Sequence, residues 1–287
     1  MKFGLVFSAS GPHCDPKLAL DLAVAAEGGG FDSFLVWDHY QTPGGARSMD
    51  AFMLLSSVAP STERIKLGTC VTPLPFRPPA QLAKIVSTLD YISNGRVILG
   101  VGAGWARAEF DAYSQWGDPA ERVARSKEAL EIMFALWHDE KVTYRGKYYS
   151  ITDAILDPKP VQKPNPPLWF GTTGRVMFRL AAKYGNGWIP GTSAGPSVAD
   201  YRAGKEKLAS EVLRVRSSSE FTWALHDVMP EEDSTSFIKK IENYASAGCE
   251  YYLAVWGHPK HPSRDYSKNE LIERVKWFSR NVLPSFK

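Results

Sequence analysis

The sequence predicts an α/β fold, a single (β/α)8 TIM barrel over residues 1–287, with an insertion between the fourth and fifth strands. Three observations predict it. The two strands of the unit from Ile65 to Trp105 are apolar throughout instead of alternating, which marks a parallel pair buried on both faces. Strand and helix patterns alternate through eight βα units with no strand left over, whereas a six-stranded doubly wound sheet would leave strands unexplained. The length of 287 residues suits one such barrel, which commonly needs about 250.

Phe3 to Ser8 reads as the first strand. Asp15-Pro16 is an N-cap followed by proline at the first helical position. Leu18, Leu22, Ala25 and Ala26 give that helix its buried face, and Gly28-Gly29-Gly30 ends it. Ser33 to Trp37 is the second strand, running into Asp38-His39-Tyr40. A loop from Gln41 to Ser48 precedes a helix from Asp50 through Val58. Ile65 opens the third strand, which ends at Cys70-Val71. A helix from Gln81 to Ile92, a turn at Asn94-Gly95-Arg96 and a strand from Val97 complete the central unit.

The insertion begins after Trp105. Asp118-Pro119 with Glu121 has the form of a capping box, opening a helix through about Trp137. Val142 to Tyr149 reads as a small hairpin, and Asp157 to Pro167 as a proline-rich connection. The rhythm then resumes. Leu168-Trp169-Phe170, Gly187-Trp188-Ile189, Phe221 to Val228 and Tyr251 to Trp256 are the last four strands. Their helices end near Tyr184 or span Ser197 to Leu213, Ser234 to Ala247, and a final stretch behind the capping box Ser267-Lys268-Asn269-Glu270.

Composition narrows the function. Hydrophobic residues make up 44% and charged residues 23%, ordinary for a globular protein. The net charge is +3 with no basic run, so nucleic acid is not an expected partner. Cys14, Cys70 and Cys249 form no CxxC, so neither a zinc site nor a disulfide framework is expected. The apolar start is too short for a signal peptide, and no run approaches the ~20 apolar residues of a membrane helix. A cytoplasmic enzyme or binding protein, with no membrane partner, is expected.

A barrel carries its active site at the C-terminal ends of its strands. That gives Ser8, Asp38-His39-Tyr40, Cys70-Val71, Gly102 to Trp105, Gly171 to Gly174, Pro190-Gly191-Thr192, His226-Asp227 and Trp256-Gly257-His258. His39 is either a proton-handling or ring-bonding imidazole, or a histidine bonded to its neighbours at a loop start. Gly171-Thr172-Thr173-Gly174 precedes a helix, so it is either an anion site or a plain turn. Gly100-x-Gly102-x-Gly104 departs from the dinucleotide spacing GxGxxG. Arg77, Arg107 and Arg175 are candidates for a phosphate, or solvated side chains. Trp37, Trp105, Trp169, Trp188 and Trp256 lie in or just after strands, where most tryptophans are packing. His258-Pro259-Lys260-His261 lacks an acidic or sulfur partner, so no metal is expected.

These pieces together resemble the bacterial luciferase-like superfamily, and within it the oxidoreductases that use coenzyme F420, a deazaflavin. The resemblance rests on Ala26-Glu27 through Ser33, Val36-Trp37-Asp38-His39 and Glu63 to Thr69. It rests equally on Leu89-Asp90 through Val97, Leu99 to Trp105 with Glu109-Phe110, and Pro158 to Gln162. It implies that Asp38 and His39 lie beside the deazaflavin ring and carry the catalysis. It implies that Thr69, Cys70 and Val71 back the ring, where relatives often hold a non-proline cis peptide. Gly102, Ala103 and Gly104 would line the cofactor channel, and Gly171, Thr172, Thr173 and Gly174 would hold the phosphate. Tyr40, Trp105 and Trp256 would face the substrate, under a loop from Gln41 to Met49.

The resemblance also implies a hydride-transfer reaction on a small molecule and a homodimer. In relatives that oxidise sugar phosphates, an acidic residue stands at the position of Trp105. Trp105 points instead to an apolar or planar substrate, and so to an activated C=C or C=O. A monooxygenase that uses reduced FMN, served by a separate flavin reductase, is the alternative on the same scaffold. A cofactor-binding protein without turnover is a third reading.

Overall fold

A computed structural model of the chain describes residues 1–42, 46–190, 195–216, 221–228, 233–257 and 262–286. The elements in order are β1 (Lys2–Phe7), α1 (Pro16–Gly29), β2 (Ser33–Val36), α2 (Ala51–Val58), β3 (Lys66–Thr69), β4 (Thr72–Pro73) and α3 (Pro79–Ile92). Next come β5 (Val97–Gly102), α4 (Arg107–Tyr113), α5 (Pro119–His138), β6 (Val142–Arg145), β7 (Ser150–Ala154) and β8 (Leu168–Gly171). The chain continues with α6 (Arg175–Tyr184), β9 (Gly187–Ile189), α7 (Val198–Val215), β10 (Thr222–Val228), α8 (Ser234–Ser246), β11 (Tyr251–Trp256) and α9 (Lys268–Asn281).

The strands close on themselves. In parallel register β1 pairs with β2, β2 with β3, β3 with β5, β5 with β8, and so on through β9, β10 and β11 back to β1. The short β4 continues the third stave and pairs with the upper end of β5. The barrel expected from the alternation of strand and helix is therefore present.

Why most strands are apolar on both sides follows from their two faces. Val6, Leu35, Cys70, Ile98, Trp169, Ile189, Ala224, Tyr251, Leu253 and Val255 fill the barrel interior. The alternate residues, among them Phe7, Phe34, Val36, Leu67, Leu99, Phe170 and Leu225, pack outward against the helices. With both faces buried, an in–out alternation of polarity has no physical reason to exist.

Helix starts follow the local chemistry. The Asp15 carboxylate accepts the Lys17 and Leu18 N–H groups ahead of Pro16, and Gly30 closes α1 at φ +87°. Ser267 and Glu270 form a reciprocal capping box on α9. At α5 Asp118 accepts the Glu121 N–H, and the return bond that a full box requires is absent.

The insertion between β5 and β8 folds back onto the barrel. Gln162 donates from its backbone to Asp90 Oδ2 at 2.9 Å and from its side chain to Asp90 Oδ1 at 2.7 Å. Lys159 reaches the Leu136 carbonyl at 2.7 Å. Two expectations need correcting here. The stretch Val142 to Tyr149 is one arm and the turn of the hairpin, whose second arm is β7. Helix α4, directly after Trp105, was not expected.

Candidate active site

The mouth of the barrel is built from the C-terminal ends of β2, β3, β5 and β8. Asp38 follows β2 and is 1% exposed. Its carboxylate is held by Arg77, with Nη1 2.5 Å from Oδ2 and Nη2 2.9 Å from Oδ1. The Thr72 hydroxyl donates to the same Oδ2. Arg77 Nη2 also reaches Asp50 Oδ2 at 2.7 Å, and the guanidinium lies over the Tyr40 and Phe52 rings. Burial opposes the Arg77 charge, and the Asp38 carboxylate overrides it and raises the pKa further. Both oxygens of Asp38 are thus engaged in a buried ion pair.

His39 points to the other side of the same loop. Its Nδ1 lies 2.9 Å from Glu109 Oε2 on α4. Glu109 is 2% exposed, and its Oε1 accepts the Tyr40 N–H at 2.5 Å and the Gln41 N–H at 3.3 Å. The His39 ring stands edge-on to Trp105 at 5.8 Å and to Trp37 at 6.2 Å. Trp37 in turn lies 6.2 Å from the ring of His226 on β10. Trp105 is 67% exposed and so offers a free aromatic face beside the histidine.

The third stave carries a cis peptide at Cys70-Val71. Burial pushes the Cys70 thiol up to about 12, so it is neutral at ordinary pH. The Val71 side chain sits where a Cβ on Gly102 or Gly171 would stand, at 3.0 Å and 2.9 Å. The glycines at these strand ends therefore admit Val71. Gly104 has φ +83°, and a Cβ there would meet the Phe110 ring at 2.4 Å. Phe110 is buried and packs on Phe76 at 4.3 Å, which seats α4 against the mouth. Ala103 between these glycines is half-buried.

At the end of β8, Gly174 N–H donates to Thr172 Oγ1 at 3.1 Å, and Trp188 Nε1 donates to the Thr172 carbonyl at 2.7 Å. Gly174 is the N-cap of α6, a helix of 10 residues with no side-chain cap. Thr173, Gly174 and Arg175 are exposed there. An uncapped first turn beside an arginine favours an anion.

Two expected site residues are displaced by the packing. Trp256 is 1% exposed and faces outward, edge-on to Phe31 and Phe278. Its neighbour Val255 is the one in the barrel interior, so the Trp256 ring does not reach a substrate. Thr69 is fully buried, and its hydroxyl donates to the Gly100 carbonyl at 2.8 Å. It braces β3 against β5, and its hydroxyl proton is committed there. Tyr40 is half-buried, stacked on Phe76 at 5.2 Å, and burial raises its phenol pKa. Gly191, Thr192 and the His258-Pro259-Lys260-His261 stretch lie outside the described residues, as do residues 43–45 of the loop.

Two residues matter more than the sequence suggested. Glu109 belongs to a quoted motif without a role, and Arg77 reads from sequence as a phosphate holder or a solvated side chain. Their partners are 70 and 39 positions away, so no local pattern reports them. Among the described residues no cluster of metal ligands occurs, and no helix is long and apolar enough to cross a membrane.

The sequence model of the luciferase-like monooxygenases matches residues 1–253. A curated F420-dependent glucose-6-phosphate dehydrogenase of Microbacterium testaceum is 37% identical over 201 residues, 69% of this chain. The match spans 59% of that relative's length. A monooxygenase from Streptomyces bottropensis superposes over 100% of both chains with a TM-score of 0.85 at 19% identity. An F420-dependent secondary alcohol dehydrogenase, solved with an F420–acetone adduct, superposes over 100% of this chain and 99% of its own, with a TM-score of 0.80 at 23% identity. The last two establish likeness of fold.

Proposed function

Because the chain belongs to the luciferase-like monooxygenase family, we propose that it is an oxidoreductase that uses coenzyme F420 to move a hydride to or from a small organic substrate. The observation that carries this reading is His39, bonded at Nδ1 to a buried carboxylate and flanked by the exposed Trp105 at the mouth of the barrel. The dehydrogenase relative named for F420 supports it.

The residues present fit such a cofactor. The uncapped N-terminus of α6, with Gly171, Thr172, Thr173, Gly174 and Arg175, suits a phosphate. Cys70, Val71, Gly102, Ala103 and Gly104 form an apolar wall suited to a planar ring. When bound, the deazaflavin supplies a carbon that donates or accepts a hydride. His39 Nε2 holds or moves the proton that accompanies the hydride. Asp38 keeps the loop in place through Arg77. Trp105 covers an apolar or planar substrate and helps exclude water, which suits an activated C=C or C=O better than a sugar phosphate. Exposed Val24 on α1, Met53 on α2 and Tyr91 on α3 support a homodimer through that side of the barrel, which light scattering would check.

The test is a parallel titration with F420 and FMN, each oxidised and reduced, followed by tryptophan fluorescence. Tight binding of F420 with weak FMN binding is the expected result. Preference for reduced FMN would overturn it and make the protein an oxygen-using enzyme served by a flavin reductase. Retained cofactor with no turnover of any acceptor would make it a binding protein.

A further inference from the structure

We propose that Glu109 is a positioning residue that sets the tautomer of His39 and, with the same carboxylate, holds the backbone that carries it. The inference rests on the reading that His39 works at the mouth, but its first test needs no cofactor.

The two oxygens of Glu109 do different jobs. Oε1 accepts the Tyr40 and Gln41 N–H groups, the two that follow His39. Oε2 faces His39 Nδ1 at 2.9 Å. An ionised Glu109 has no proton to give, and Nδ1 then carries one. A neutral imidazole has a single N–H, which leaves the Nε2 lone pair for a proton at the mouth. Nε2 bonds to nothing among the described residues.

Packing makes this arrangement stiff. Glu109 is 2% exposed, and its neighbour Phe110 is locked into the space left by Gly104. The Gln41 side chain adds a bond to the Ala108 carbonyl at 3.2 Å. The seating of α4 and the protonation pattern of His39 are therefore one structural unit. The run Gly104-Trp105-Ala106-Arg107-Ala108-Glu109-Phe110 encodes it: glycine admits the phenylalanine, and the phenylalanine aims the glutamate.

Two-bond ¹H–¹⁵N correlation spectra of the histidine-labelled protein, without cofactor, read the tautomer directly. His39→Gln assigns the signal. The expected result is an Nδ1–H tautomer at His39. Glu109→Gln nearly conserves shape, and its amide oxygen can still take the two backbone N–H groups. Its NH2 then faces Nδ1, so the tautomer should invert to Nε2–H. Turnover in the variant should fall about 10²-fold, the lower range for a misdirected proton-transfer group, with KM little changed.

An Nε2–H tautomer in the unsubstituted protein would overturn the proposal, and so would an unchanged tautomer in the variant. Inversion with unchanged turnover would remove the functional half. Should the variant fail to fold, the spectrum of the unsubstituted protein decides alone. Absence of any turnover with F420, alongside the expected tautomers, would count against the cofactor and not against Glu109.

Discussion

Arg77 clamps Asp38 through both guanidinium branches, at 2.5 and 2.9 Å, in a pocket where neither side chain is more than 7% exposed. Removing one member of a buried pair strands the other charge, which typically costs about 3–5 kcal/mol. Asp38→Asn and Arg77→Ala should each destabilise the fold by about that order in denaturant unfolding, with Asp38→Asn softened because Arg77 keeps Asp50 as a partner. Replacing both with apolar residues should recover part of the loss. Single substitutions costing under about 1 kcal/mol would show that the pair is solvated in the native state.

The two tryptophans expected at the substrate should separate cleanly. Trp256→Ala removes a ring buried at 1% and should cost about 3–5 kcal/mol. Trp105→Ala removes a ring 67% exposed and should leave Tm nearly unchanged while raising KM for the organic substrate. Thermal melts and steady-state kinetics check both; a destabilised Trp105→Ala protein would contradict the assignment.

Val71 and the glycines around it predict a coupled pair. A Cβ on Gly171 would stand 2.9 Å from Val71 Cγ1, so Gly171→Ala should cost about 1–3 kcal/mol by overpacking. Shrinking the neighbour with Val71→Ala should relieve most of that cost. Additive effects of the two substitutions would mean that the glycine is needed for some other reason.

Stability should decline at alkaline pH through named groups. Burial pushes the Cys70 thiol from 9.0 to about 12 and the Cys249 thiol likewise. It also pushes the Tyr244 phenol from 10.0 to about 12. A raised folded pKa means that the fold favours the protonated form. The contribution is fully present below the unfolded value and is lost as pH climbs to the folded one. The free energy of unfolding should therefore fall between about pH 9 and 12. Cys70→Ser should flatten the curve in that window. Rapid alkylation of the native Cys70 at pH 8 would show that the thiol is not buried as described.

Much of the architecture was legible in the chain because its determinants are local. Continuous apolar runs, Asp15 ahead of Pro16, Gly30 after α1 and the Ser267–Glu270 pair each act within a few residues, and sequence reading works at that range. The position of Asp38-His39 at the mouth of the barrel was legible for the same reason: it follows a strand.

Side-chain direction was not legible. In a strand buried on both faces no polarity marks the inner side, so nothing in Tyr251 to Trp256 told which residue faces inward. Closure of the barrel decided it, with Val255 in and Trp256 out. The partners of the site residues were equally hidden. Arg77 meets Asp38 across 39 positions and Glu109 meets His39 across 70, because parallel staves joined by crossover helices bring distant strand ends side by side. The sequence by itself thus determined the barrel and which strand ends form its mouth. Only the tertiary structure decided which carboxylate is bound in an ion pair and which one aims the histidine.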